Sequence, residues 1–114
     1  MMADLIDELT QAGYRIAGVH HGLVAGDRPV PGMPHHYRVV GVFCDARGWF
    51  ARMRVTKPDP TNPTRRVESD VHEGGPFGDS LAFAAWLGGC SSIPAGPEEV
   101  AAIQNKPAQI AGAT

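Results

Sequence analysis

Apolar and polar residues alternate most regularly over residues 36–56, where the period of two predicts a pair of β-strands. Residues 45–48 supply a tight turn between the strands, because aspartate occupies its first position and glycine its last. If Cys44 lies opposite Trp49, one face of this hairpin is uncharged and is predicted to be core. Its side chains are Val40, Val42, Cys44, Trp49, Ala51, Met53 and Val55.

The opposite face of the hairpin mixes aromatic rings with guanidinium groups. It carries Tyr37, Val39, Gly41, Phe43, Phe50, Arg52, Arg54 and Thr56. The favoured interpretation is that a helix covers the Phe43 and Phe50 end while the arginines lie at the rim. The alternative is a platform for single-stranded nucleic acid, with bases stacked on Tyr37, Phe43 or Phe50 and phosphates on the arginines Arg52 and Arg54.

The segments around the hairpin predict one helix, two strands and two loops. Residues 3–12 place apolar side chains on one helical stripe, and Gly13 is a suitable end for that helix. Residues 14–19 alternate as a first strand that can continue to Leu23 or Val24. The proline-rich residues 26–34 and 57–64 are predicted as surface loops, the second of which ends the hairpin. Residues 65–72 alternate weakly as an edge strand, which residues 73–76 are expected to break.

A strongly apolar helix is predicted near residues 80–87. Asp79 or Ser80 can cap its N-terminus, and Gly88 with Gly89 is expected to end it. Because the helix has no polar side, it should be buried nearly all round or face a partner, with core packing favoured. A last short helix can begin at Pro97, and residues 108–114 are expected to form a mobile tail.

These elements predict a small two-layer α+β domain over residues 1–107. Its antiparallel sheet should have three to four strands with the 36–56 hairpin at the centre, packed by the N-terminal helix and the buried helix near 80–87. The apolar fraction of 43% supports a folded domain. Two cysteines without a short spacing predict neither a disulfide framework nor a zinc site. The absence of a long apolar run and of a basic leader predicts a cytoplasmic protein that does not contact a membrane.

Charge is segregated along the chain. Residues 28–66 hold eight basic and two acidic side chains, whereas residues 67–114 hold one basic and six acidic ones. The two segments either neutralise each other in the fold, which we favour, or present patches to partners. In the second case the acidic segment is a candidate partner-binding site. Its candidate residues are Glu68, Asp70, Glu73 and Asp79.

The five histidines suggest a metal site as a further alternative. Neighbouring residues of a strand point to opposite faces, so each of the pairs His20/His21 and His35/His36 can offer one ligand to a site. We take His21, His36 and His72 as the conceivable set. Their spacing matches no metal-binding motif, and exposed histidines beside loops are the simpler interpretation.

No motif in the chain names a reaction or a ligand. Cys44 falls on the predicted core face, Cys90 follows the C-terminal end of a helix where a thiolate is disfavoured, and Ser80 is explained as a cap. We therefore predict no enzyme activity and no cofactor. The leading hypothesis is a small binding protein that occupies the surface of a protein partner, as an inhibitor or an adaptor. A nucleic-acid-processing complex is one conceivable target, and the oligomeric state is left open.

Overall fold

The structure, a computed structural model, describes residues 2–20 and 22–95. Its elements follow the order α1 Met2–Gln11, β1 Arg15–His20, β2 Leu23–Pro29, β3 Tyr37–Asp45, β4 Gly48–Asp59, β5 Asn62–Phe77 and α2 Ser80–Ser91. Each strand pairs antiparallel with the next one along the chain, so the sheet order is β1-β2-β3-β4-β5. The α+β prediction is confirmed, but the described sheet has five strands rather than three to four.

The central hairpin has the predicted register. Cys44 pairs with Trp49, and Asp45 pairs with Gly48 across the turn. Five of the side chains predicted as core are buried, namely Val40, Val42, Ala51, Met53 and Val55. Trp49 is partly buried against the same core, whereas Cys44 is exposed, because it lies beside the hairpin turn at the end of β3.

Both helices pack on this face of the sheet. Helix α1 buries Leu5 and Leu9, and α2 buries Phe83, Leu87 and Cys90. These side chains form one hydrophobic cluster with the inward residues of the strands. The N-terminal stripe is therefore confirmed, and one two-layer core holds the sheet and both helices together.

Helix α2 begins as predicted but ends later. The Asp79 side chain accepts a hydrogen bond of 2.9 Å from the backbone N–H of Ala82, which is an N-cap. The helix continues through the two glycines to Ser91, because Cys90 is buried in the core and Ser91 Oγ lies 2.7 Å from the Tyr14 hydroxyl. These contacts offset the helix-forming cost of about 1 kcal/mol for each glycine. Leu81 is 74% exposed, so the helix is buried on one side only.

The first proline-rich segment is strand as far as Pro29 and a loop over residues 30–34, whereas the second is strand except for a turn at residues 60–61, which corrects the predicted loop there. Strand β2 includes Pro29, and β4 continues past Pro58 to Asp59. The last pair between β3 and β4 is Tyr37–Thr56, so Pro58 lies beyond β3 and hydrogen-bonds only on its β5 side. A proline is tolerated there because one side of the strand has no partner that needs its N–H.

Strand β5 is not broken at residues 73–76. Gly74 pairs with Ala51, and its missing side chain makes room for the Trp86 ring of α2. Gly75 has a φ of +117°, a conformation that favours glycine. The glycines therefore bring the sheet edge close to the helix instead of ending the strand.

The predicted first strand is divided at Gly22, which has a φ of +66° and turns the chain from β1 into β2. The predicted helix from Pro97 and the tail at residues 108–114 lie outside the described residues. Neither helix in the described part of the chain has both the length and the apolar character that a bilayer crossing requires.

We expect Gly74→Ala to destabilise the fold. An added Cβ would lie 2.4 Å from Trp86 Nε1, so the ring or the strand must move, at a cost of about 1–3 kcal/mol. Gly78→Ala is the matched control, because a Cβ there would meet nothing within 4 Å and its effect should stay within about 0.5 kcal/mol. Urea unfolding monitored by tryptophan fluorescence measures both changes, and equal stabilities of the two variants would contradict the close contact.

Candidate functional site

The sheet face opposite the helices is covered by no described element. Alternation along the strands places Leu23, Phe43 and Phe50 on this face, which we call the open face. Phe43 is 38% exposed and Tyr37 is 36% exposed. The expected helix over Phe43 and Phe50 is therefore absent from the described structure, because both helices join the core on the other side.

One end of the open face is an apolar row across three strands. Leu23 pairs with Phe43, and Phe43 pairs with Phe50. The two phenylalanine rings are stacked, with centroids 5.8 Å apart and planes 18° apart. The Arg47 guanidinium lies 4.5 Å from the centroid of the Phe50 ring. The row thus has an aromatic centre that is partly shielded by a cation.

The next row of the open face has almost no side chains. Gly18 pairs with Ala25, and Ala25 pairs with Gly41. A Cβ added at Gly18 or at Gly41 would meet nothing within 4 Å. The row therefore forms a shallow furrow next to the aromatic rings, where a side chain from another molecule can approach the backbone of the sheet.

Arginines and carboxylates of β4 and β5 border the furrow. Arg54 Nε lies 2.7 Å from Glu68 Oε1, and Arg52 lies 3.8 Å from Glu68 and 3.7 Å from Glu73. The basic and acidic segments therefore neutralise each other here, as the favoured interpretation of the charge pattern predicts. All four side chains are partly exposed, so these pairs contribute little to stability.

The far end of the open face is a recess with a volume of about 610 Å³. Tyr37 and Val39 of β3 line it, together with Arg15 from β1 and Arg66 from β5. Arg15 Nη2 lies 3.2 Å from Asp27 Oδ2, on the neighbouring strand. The Arg66 guanidinium lies 5.6 Å from the centroid of the Tyr37 ring. This recess combines apolar surface with two cations and one carboxylate.

The four acidic candidates do not form one patch. Glu68 and Glu73 face Arg52 on the open face. Asp70 lies in a β-bulge of β5 with a φ of +53° and accepts a hydrogen bond of 2.7 Å from Ser69 Oγ. Asp79 caps α2. Local structure therefore explains two of the four residues.

The histidine candidates are separated. His36 Nδ1 lies 2.9 Å from the Pro34 carbonyl oxygen, and His72 pairs with Met53. His36 precedes Tyr37, which pairs with Thr56 of β4. Thr56 and Met53 are three residues apart on β4, so the positions of His36 and His72 are separated by about 10 Å along the strand. His21 lies outside the described residues. Residues 2–20 and 22–95 contain no group of three or more histidine, cysteine, aspartate or glutamate side chains that could hold a metal ion.

Arg38 is an important residue that the sequence interpretation missed. Its side chain is on the core face, only 2% exposed, and its Nη2 donates a hydrogen bond to the Ile93 carbonyl beyond α2. The alternation that places Val40 and Val42 inside also places Arg38 inside, so the signal was present in the sequence. The prediction of an uncharged core face is wrong at this position, where the guanidinium ties the end of α2 to the sheet.

The cysteines are far from a nucleophilic arrangement. Burial raises the pKa of the Cys90 thiol, and the nearby Arg38 charge opposes that effect. Cys44 Sγ lies 3.8 Å from the Asp45 carbonyl oxygen. The main feature of the described surface that could serve a function is thus the open face.

Comparisons with protein-family models, with curated protein sequences and with solved structures find no match for this chain. The geometry of the open face is therefore the feature from which a function can be inferred.

We expect Arg47→Ala to raise the pKa of Asp45. Hydrogen bonds from the Arg47 side chain and backbone hold that pKa below its usual value. A lowered folded-state pKa stabilises the fold above the unfolded-state pKa, and that stabilisation is lost as the pH falls through the folded-state pKa. Arg47→Ala should therefore weaken the acid dependence of stability at low pH.

Carboxyl ¹³C NMR titration measures this change. Asp59 is the internal control, because Thr61 rather than Arg47 lowers its pKa. An unchanged Asp45 pKa in the variant would contradict the hydrogen bonds between the Arg47 side chain and the Asp45 carboxylate.

Proposed function

We propose that this protein is a non-catalytic binding protein that uses its open face to occupy the surface of a partner protein. The observation that carries the proposal is the uncovered apolar row of Leu23, Phe43 and Phe50 beside the furrow at Gly41. An inhibitor and an adaptor both act in this way, by holding a surface on the partner.

The composition of the open face supports a protein partner. Aromatic residues and arginine are enriched in protein interfaces, where they form the residues that contribute most to affinity. Phe43 and Tyr37 are exposed near opposite ends of the face, and the charged pairs of β4 and β5 lie between them. Such a surface offers apolar side chains for burial at both ends and charged pairs between them for specificity.

The electrostatics of the face favour a protein over single-stranded nucleic acid. The cations Arg52 and Arg54 already face carboxylates, so their charge is not available for phosphates without breaking those pairs. Arg47 lies against Phe50, one of the three rings on which a base could stack. Glu68 and Glu73 would repel a phosphate backbone.

The candidate nucleophiles support a non-catalytic role. Cys90 is buried and its pKa is raised, which disfavours the reactive thiolate. Cys44 has no histidine among the described residues with which it hydrogen-bonds. Binding through a surface requires neither group.

We expect Gly41→Gln to weaken partner binding without unfolding the protein. The new side chain rises from the floor of the furrow into empty space, so stability should change by no more than about 0.5 kcal/mol. The new side chain would, in contrast, prevent the partner protein from approaching the furrow. The affinity for the partner should therefore fall at least about tenfold. Affinity capture from extracts of the native organism, followed by calorimetry with the captured partner, measures both effects.

Leu81→Ser is the matched control, because Leu81 is exposed on α2, on the other side of the molecule. It should retain the partner. The proposal is contradicted if no stoichiometric partner is captured, or if Gly41→Gln retains the partner as well as the unmodified protein does. Saturable binding of a thymidylate oligonucleotide at low salt, lost in Gly41→Gln, would favour the nucleic-acid alternative instead.

A further inference from the structure

We propose that the recess at the Tyr37 end of the open face binds a carboxylate side chain from an acidic segment of the partner protein. The inference rests on the proposed function and adds the chemistry of the partner. Its basis is Arg66, a cation that the fold orients toward a recess with apolar walls.

The shape of the recess follows from unequal strand lengths. Strand β3 begins only at Tyr37, which pairs with Thr56, whereas the β4–β5 ribbon extends beyond that pair through residues 57–67. The ribbon therefore extends past the start of β3, and its residue Arg66 lines the recess. The volume of about 610 Å³ lies within the range of sites that hold a small organic ligand, which is enough for a side chain and its neighbour.

The guanidinium of Arg66 is held in one orientation. Its Nη2 donates hydrogen bonds to the His35 carbonyl at 2.6 Å and to Thr56 Oγ1 at 3.1 Å, and the group lies over the Tyr37 ring. Both bonds use the same nitrogen. The Nε and Nη1 groups can therefore still donate to a ligand, with little loss of side-chain freedom.

The charge balance of the recess favours a single negative charge. Arg15 pairs with Asp27, which leaves Arg66 as the uncompensated cation of the recess. Within the described residues, no aspartate or glutamate forms an ion pair with Arg66. A carboxylate can accept a charge-assisted hydrogen bond from the remaining Nε–H or Nη1–H donors of this guanidinium, which is stronger than a bond between neutral groups.

The walls favour a peptide over a phosphate chain. Val39 and Tyr37 offer apolar surface beside the cation, where the neighbouring side chain of a peptide can pack. Asp27 would repel the successive charges of a nucleic-acid backbone. An acidic residue next to an apolar one fits both the charge and the surface of the recess.

The experiment uses the capped dipeptide N-acetyl-leucyl-glutamate N-methylamide as the probe and its glutamine counterpart as the neutral reference. Titration into the ¹⁵N-labelled full chain should shift the amides of Val39 and Thr56 and the Nε resonance of Arg66. We expect the glutamate probe to bind about tenfold more tightly than the glutamine probe, as for a hydrogen bond to a charged group.

Arg66→Gln should remove this preference, whereas Arg65→Gln, which changes the adjacent arginine outside the recess, should preserve it. Equal affinity for the two probes, shifts confined to other surfaces, or an unchanged preference in Arg66→Gln would overturn the inference. Stronger shifts of the same resonances by a thymidylate trinucleotide would also overturn it.

These results are separable from the test of the proposed function. If Gly41→Gln releases the captured partner while Arg66→Gln retains it with unmodified affinity, the acidic-segment inference fails and the docking face stands. If Gly41→Gln has no effect on the partner, the docking face itself is rejected.

Discussion

The pairing of β3 with β4 decides which side chains the protein buries and which it displays. With Cys44 opposite Trp49, the valines Val40 and Val42 point toward the helices, and Phe43 points away from them. A shift of one residue would exchange the two faces, because side chains alternate with a period of two. The core prevents that shift, since it would bury Arg52 and expose Met53.

The second constraint is that both helices use the same face. Helix α1 packs on the first strands and α2 packs near β5, and they contact each other over the sheet. One layer of helices is sufficient to bury the apolar side of an antiparallel sheet. The other side then needs no cover for stability, so its aromatic row and furrow are free to serve a partner.

Much of the fold follows from local patterns in the sequence. The alternation of residues 36–56 predicts the hairpin and its register, the stripe at Leu5 and Leu9 predicts the buried side of α1, and Asp79 predicts the start of α2. The length of β4 and β5 could not be predicted in this way. Pro58 and Gly74 are strand breakers by propensity, and only their position beyond β3 and against Trp86 makes them compatible with strands.

The site was predictable in its residues but not in its environment. Phe43, Phe50, Arg52 and Arg54 do share one face, yet their sequence pattern does not tell whether a helix covers it or whether the arginines meet carboxylates. The cover of the face and the partners of the arginines depend on contacts between residues that are distant in sequence, such as Arg54 and Glu68. The alternation that places Val40 and Val42 in the core also predicts the burial of Arg38. That burial was not predicted, because a core face is expected to be apolar.

We expect the aromatic face to be exposed to solvent in the 114-residue chain, while the residues next to it in sequence are buried. Adjacent residues on β2 provide a matched pair, because Leu23 is 40% exposed on the open face and Val24 is fully buried beneath the helices. Methyl NMR with a soluble paramagnetic agent measures their exposure directly. We expect strong relaxation of the Leu23 methyl groups and none at Val24, and equal protection of both would contradict the exposure of the open face.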